Sequence, residues 1–508
     1  MVFFQRTAHY LFFLIALIQA LAYRWVCDDA FISFRYARNL TKGLGLVFNE
    51  GERVEGYTNF LWTLLLSLGF QFKLNPIPYS ENLGVLFYLG TLFVTYYFAK
   101  KINARQRNYF PIAFCGLAVH KYMHTFASSG LETSFFTFLV LSAYYYVFLA
   151  EDLKPRLIAF TLLNLAALTR PEGLLYYFVA AFYIYYLDIK NGILYRGSTG
   201  KEILLRSLHH IPFLIIYIPY FIWKYNYYGF LLPNTYYAKS GGGIYFSQGW
   251  KYLEIFCDAY YFLYTLPFFL ILYLFRLRKE RNTHRNFLLI FIAPLLHLLY
   301  ILKVGGDFMF ARFFIPLLPF VYILFEIFLY RFFRKIDNTL KFVALIILTL
   351  LFMDPYKGTS VPIINGISNE REIYKPNNVT YLMLKILSWK PHFERANVRF
   401  AFGGAQAIYA YYLENNYAIE AECGLTDSYL AHRKISMRGR VGHEKEAPLS
   451  YLKEKGIHLH MSGEEGHWGE EKYKGYIKGL PGEINIIYDD PNVINILRQH
   501  PDIQFPNY

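Results

Sequence analysis

Apolar stretches of about 20 residues recur along the first 353 positions of this 508-residue chain and then stop. A helix of that length crosses roughly 30 Å of hydrocarbon. The pattern restricts the chain to a set of membrane helices followed by one module of soluble composition. Predicted spans lie near 8–26, 82–99, 108–126, 131–149, 156–169, 171–187, 207–224, 254–275, 286–303, 311–330 and 339–353, about eleven in all. The stretch "FLWTLLLSLGFQFKL" at 60–74 is apolar but short, and it is assigned to a juxtamembrane or re-entrant helix. No small-residue cleavage site follows the first apolar run, which reads as a retained helix and not a signal peptide. The expected fold class is a polytopic α-helical membrane protein: residues 1–353 form the transmembrane domain, 27–80 its first outward loop, and 354–508 a C-terminal soluble α/β domain.

Charge supports the same division. The net charge is +14, yet residues 354–508 hold 18 Lys and Arg against 19 Asp and Glu, which leaves 33 against 18 in the membrane part. Basic residues confined to short loops set topology, and no basic tract joins a recognition motif, so nucleic acid is not an expected partner. With residue 6 inside, the loops "KKINARQR", "EDLKPR", 190–206, "RLRKERNTHR" and "RFFRK" all fall inside. Counting 60–74 as a full span would put "KKINARQR" outside and break that pattern. The N-terminus is therefore expected in the cytoplasm and the tail outside.

The outward connectors are of another kind: "CDDAFISFRYARN…GERVEGYTN", "SSGLET", "RPEG", "YYGFLLPNTYYAKSGGG" and "KVGGDFMFAR" carry glycine turns, amides and closely spaced charges. A helix beginning near Asp28 would place Asp28, Ile32, Arg35 and Asn39 on one face, with Asp29, Ser33 and Tyr36 beside it and Phe31 and Phe34 turned to the interface. Two acids at a helix start could simply cap it. With an arginine on the same face they also form a polar site at a membrane edge, where such groups are costly and usually functional. A carboxylate there can act as general base toward a sugar hydroxyl, and the pair could hold a divalent cation, although no cofactor is certain and no metal motif is present.

Glu55 and Asn59 lie in the loop that follows. In "SSGLET", Ser128 or Ser129 would cap the next helix with Glu132 in its first turn. "TRPEG" offers Arg170 and Glu172 for an ion pair or a phosphate contact, and "LLPNTYYAK" offers Asn234 and Lys239 on a loop. Asp307 and Arg312 stand a turn apart and suit a structural salt bridge. Taken together on one face, these groups describe a polar cavity for a substrate with a greasy tail and an anionic head, such as a polyprenyl phosphate carrying a sugar. Arg35, Arg170, Lys239 and Arg312 are the candidates for its phosphate, and Tyr36, Asn39, Glu55, Asn59, Glu132, Glu172, Asn234 and Asp307 for the cavity wall. The aromatic content, 20% with 48 Tyr, suits interfacial belts and sugar stacking.

In the tail, "NVRFAF", "YAIEAE", "IHLHMS" and "INIIYDD" read as strands and "GGAQAIYAYYLE" and "RVGHEKEAPLSYLKEKG" as turns into helices. Asp427, His432, Arg433 and His443 are its notable polar residues, with Asp427 and His443 counted among the acceptor or cavity-lining candidates, and His443 in "GHE" matches no zinc motif. Cysteines at 27, 115, 257 and 423 show no metal spacing; Cys27 and Cys423 are either a disulfide or two buried thiols.

The motif "DDAFISFRYARNL…G.GLVFNEGERVEGYTNFLW", followed by "GLET", "RPEG", "YYGFLLPNTYYAK", "GGDFMFARFFIP", "GLTDSYLAHRK" and "RVGHEKEAPLSYL", resembles the polyprenyl-phosphate-sugar-dependent glycosyltransferases of the GT-C fold. Within them it is most similar to the terminal β-1,2-arabinofuranosyltransferases of cell-wall arabinan and their relatives that arabinosylate pilin. The resemblance implies that Asp28 and Asp29 are the essential acidic pair of the first periplasmic loop, one of them the base or acceptor-orienting group. It also implies a polyprenyl-phosphate-linked arabinofuranose donor, a polysaccharide, lipid-linked glycan or protein acceptor, and a bacterial inner-membrane location. A GT-C transferase for another polyprenyl-phosphate sugar, or a lipid-linked sugar flippase, is the alternative.

Overall fold

A computed structural model describes residues 2–506 except 105, 107–108, 195–198, 240–242, 278–283, 334, 404–405, 436–437, 462–473, 479 and 481–483, with backbone alone at 2–8, 273–277, 284–287 and 474. The basic loops "KKINARQR", 190–206, "RLRKERNTHR" and "RFFRK", and the glycines after Lys239, fall partly outside that set.

Helix occupies each of the eleven expected apolar stretches. Pro76–Ile102 and Arg312–Phe332 are long and apolar enough to cross a bilayer unaided. Two bent pairs add a crossing each if each pair counts as one: Gly200–His210 with Phe213–Tyr228, bent by 54°, and Phe246–Ala259 with Tyr261–Leu272, bent by 108°. Val2–Ala22 and His284–Val304 are helices of 21 residues each, whereas Thr133–Phe148 and Asn338–Leu350 are shorter. Breaks divide some of the expected stretches. The stretch 108–126, for instance, is divided into Ile112–Ala118 and Lys121–Ala127, with His120 in extended backbone before the second.

The chain divides into two compact units. The first comprises Met1–Arg24, Ser80–Lys224 and Tyr245–Ile363. Its core is aromatic: Tyr88, Tyr122, Tyr144, Tyr176, Tyr252, Tyr260 and Tyr322 are fully buried. Several direct the hydroxyl at a main-chain oxygen, as Tyr144 does to Tyr176 (3.1 Å) and Tyr252 to Met309 (3.0 Å). A buried phenol needs such a partner, so much of the tyrosine content serves the interior and not only interfacial belts. Two acids do the same for charge. Glu326 accepts from the Ala113 N–H (2.8 Å) and Asn103 (2.9 Å). Asp188 takes both Nη atoms of Arg156 at 2.6 and 2.7 Å, joining the start of helix Leu153–Thr169 to the end of Gly173–Lys190.

The second unit comprises Trp25–Tyr79, Tyr225–Ile244 and Ile364–Tyr508. In this unit the tail from Ile364 is joined by two segments from far upstream. A six-stranded sheet runs, edge to edge, Ala418–Glu420, Phe400–Phe402, Leu459–Met461, Ile484–Ile486, Lys474–Ile477 and Ile503–Gln504. The first three strands are parallel and the remaining pairings antiparallel. Ala401, Ile419, Leu430, Leu452, Ile457 and Ile487 make its buried core. Helix Asp28–Thr41 packs on helix Phe60–Gln71 and on the tail helix Ala407–Tyr412. Phe31 and Phe34 do not lie in a lipid interface: both are buried, with rings 5.5 and 5.9 Å from Tyr411. Their partner stands almost 380 positions away, beyond any local sequence signal.

Candidate active site

Helix Asp28–Thr41 begins with the acid pair, and the two acids differ. Asp28 is buried, and its two oxygens accept the Ala407 N–H (2.8 Å) and the Ile408 N–H (3.0 Å), so it caps the tail helix Ala407–Tyr412 instead of its own. Burial pushes its carboxyl up to about 8, against the pull of those two donors, and the charges of Asp29 and Glu370 add to the rise. Asp29 is half-buried at the adjacent position.

The rest of that helix ties the unit together. Arg35 is buried, and its guanidinium donates to Phe48 O (2.8 Å), Asn49 Oδ1 (3.2 Å), Asn416 O (3.0 Å) and Ala410 O. Four neutral acceptors make it a strut between the acid-pair helix, the 48–49 turn and the tail, not an open anion site. Tyr36 donates to Val54 O (2.6 Å) and accepts from the Gly56 N–H, and Asn39 donates to Val47 O and Phe48 O. Asn59 meets Ser33 and Thr63. Asn234 donates to Gly424 O (2.8 Å), Leu425 O (2.9 Å) and Asp427 O (3.3 Å), while its own N–H goes to the Glu55 carbonyl. Asp427 caps helix Ser428–His432 and accepts from Tyr451 (2.9 Å). His443 is 3.9 Å from Glu422; burial foremost, then the charges of Arg440 and Lys239, hold its imidazole down to about 3. Motifs scattered over 400 positions thus meet in one unit.

A second cluster stands in the first unit. Arg170 bridges Glu132 (2.8 Å) and Glu172 (2.9 Å), and Arg312 pairs with Asp307, as the short spacing suggested. The Phe313 ring lies under both guanidinium carbons, 5.1 Å from that of Arg170 and 5.3 Å from that of Arg312. Glu132 itself occupies the cap position of helix Thr133–Phe148 and turns its carboxylate to Arg170; neither expected serine caps that helix, because Ser128 Oγ donates to Tyr23 O and Ser129 Oγ accepts the Leu131 N–H, ahead of the helix start. The groups that the sequence placed around one cavity thus form two clusters, one within each unit.

It missed Glu370, Ser368, Tyr374 and Arg440 in the second unit. Glu370 is buried close enough to act on Asp28, and Tyr374 feels Asp28, Glu370 and Asp29 alike. Only the "RVGHEKE" motif, which opens on Arg440, held a signal. A divalent cation at the acid pair fits poorly, because both Asp28 oxygens already face N–H donors, and among the described residues no group of three His, Cys, Asp or Glu gathers around a common point. Cys27 and Cys423 are buried free thiols, and Cys423 donates to Glu420.

The class comes from the fold. The chain is similar to ArnT from Cupriavidus metallidurans in the apo state, with a TM-score of 0.53, 11% identity, 89% of this chain and 92% of that one covered. It is also similar to the oligosaccharyltransferase of Archaeoglobus fulgidus, with a TM-score of 0.55, 12% identity and coverage of 97% and 76%. The fold is GT-C. The particular relatives come from sequence: the chain is 28% identical over 327 residues to the terminal β-(1→2)-arabinofuranosyltransferase of Corynebacterium glutamicum, covering 57% of this chain and 46% of that protein. To the protein of the same description from Mycobacterium tuberculosis it is 28% identical over 331 residues, covering 57% and 50%. The chain spans about half the length of these relatives. No protein-family model matches it.

Proposed function

We propose that the chain is a membrane glycosyltransferase that moves a sugar, arabinofuranose in the leading case, from a polyprenyl monophosphate to a hydroxyl of a glycan or protein acceptor on the outer face of a bacterial plasma membrane. The observation that supports this best is the asymmetry of the acid pair. Asp28 is held by two backbone donors and kept largely neutral, whereas half-buried Asp29 stands beside it at a helix start. Asp29 takes the acceptor proton as the acceptor oxygen bonds to the anomeric carbon. The bond from that carbon to the phosphate oxygen breaks, and the electron pair leaves with the polyprenyl monophosphate. Cations near the phosphate oppose its growing charge. Arg35, held by four neutral acceptors, is part of the scaffold in this reading, and Arg170 and Arg312 are engaged by their own carboxylates in the first unit.

The test is incubation of the full chain with synthetic polyprenyl-phosphoryl-arabinofuranose and a panel of glycan and peptide acceptors, with products read by mass spectrometry. Asp29→Asn lowers turnover by about 10²-fold or more, with donor binding retained. Turnover unchanged by Asp29→Asn removes this mechanism, and no covalent product on any acceptor removes the transferase reading.

A further inference from the structure

We infer that Arg440 and Lys239 form the monophosphate-binding site that serves the acid pair, and that Glu370 and Ser368 position Arg440 within it. The inference rests on the functional reading above and names which cations act in it. Arg440 Nη2 lies 3.2 Å from Ser368 Oγ and 3.6 Å from Glu370 Oε1, and Ser368 Oγ in turn donates to Glu370. Both anchors are buried, so one edge of the guanidinium is fixed. The arginine side chain nonetheless keeps 25% of its surface exposed, against 12% for Arg170, 7% for Arg312 and 3% for the Arg35 residue. Of these four arginines it keeps the largest exposed share, which leaves it the most open to solvent and hence to a headgroup.

Lys239 arrives from another segment of the same unit. Its aliphatic stem passes Gly442, where an added Cβ would stand 3.5–3.6 Å from it, and Gly442 turns at φ +79 two residues beyond Arg440. His443, next in sequence, feels both cations and is neutral at ordinary pH. The acid pair shares this neighbourhood through Glu370, whose charge acts on Asp28. An arginine fork, and a lysine whose stem passes the backbone two residues beyond it, suit a lipid-borne phosphate better than a neutral glycan.

Binding of undecaprenyl monophosphate to the full chain in nanodiscs, with inorganic phosphate and uncharged undecaprenol as parallel probes, tests this. Arg440→Gln is expected to weaken undecaprenyl monophosphate about tenfold or more and Glu370→Gln by roughly threefold, with Arg440→Lys between the unaltered chain and Arg440→Gln. Undecaprenol affinity should stay unchanged in all three. Competition by inorganic phosphate confined to the unaltered chain supports a phosphate site as such. Arg440→Gln binding within twofold of the unaltered chain overturns the inference and leaves the functional reading standing, as does an equal loss for undecaprenol, which marks a structural role. An unaltered chain that ignores undecaprenyl monophosphate overturns both.

Discussion

Asp28 and Asp29 are neighbours in sequence and opposites in environment. Removing the Asp28 side chain strands two buried N–H groups at the start of helix Ala407–Tyr412, at roughly 1–3 kcal/mol for each unsatisfied donor. Asp28→Ala is therefore expected to lower the thermal midpoint of the detergent-solubilised protein clearly, while Asp29→Asn leaves it nearly unchanged; equal melting of the two variants would contradict the asymmetry. Acidity gives a second handle. The Asp28 carboxyl ionises near 4 in the unfolded chain and at about 8 in the folded one, so the folded state holds the extra proton between those values. The stability this group contributes is complete below about pH 4 and is lost as pH rises through about 8. Melting midpoints recorded from pH 5 to 9 should fall for the unaltered chain more steeply than for Asp28→Asn, which does not titrate there; parallel slopes would show that the proton is not held.

Among the elements, the helix pair Leu153–Thr169 and Gly173–Lys190 shows what a short loop can hide. In sequence Arg156 looks like one more topology-setting charge, yet it is buried and paired in two-pronged fashion with Asp188. Breaking such a pair leaves a charge without compensation and costs about 3–5 kcal/mol. Asp188→Asn should destabilise the protein on that scale, and Arg156→Met with Asp188→Leu should recover much of it; a single variant as stable as the unaltered chain would make the pair dispensable. The same contrast separates what was legible from what was not. Helix positions were readable, because long apolar runs and their basic flanks follow from the chain's own composition. The local Asp307–Arg312 pair was readable too, because five residues fix its geometry. Arg35, Asn49 and Asn234 were not, because each has acceptors among the main-chain oxygens of the tail, hundreds of positions away. Side-chain type alone does not tell a phosphate ligand from a strut. The break in 108–126 did carry a signal that was passed over, since His120, Lys121 and His124 interrupt the apolar run where the helix divides.

At the scale of the molecule, the second unit is closed by long-range bonds between segments that a linear domain boundary would separate. Asp28 caps the tail helix, Arg35 takes the carbonyls of Ala410 and Asn416, and Asn49 exchanges hydrogen bonds with Ala418 at the edge strand. Asn234 closes the 424–427 turn, and Phe31 and Phe34 fill the space against Tyr411. A fragment of residues 364–508 alone would expose all of those acceptors and an apolar face that 25–79 otherwise covers. Each of the lost bonds is worth about 1 kcal/mol net, and together with that apolar burial they rival the whole stability of an ordinary domain, roughly 5–15 kcal/mol. The isolated fragment is expected to keep some secondary structure but to lose its cooperative melt and near-ultraviolet signal and to be cut readily around 407–432 by limited proteolysis. Adding 25–79 and 225–244 through linkers should restore protection there. The same bonds require residue 28 and the tail to stand on one side of the bilayer, so cysteine labelling of positions 29 and 434 in intact cells should give the same sidedness. A fragment that melts cooperatively at the midpoint of the full chain, or labels that fall on opposite sides, would mean that the tail is an independent domain and that the acid pair does not work with it.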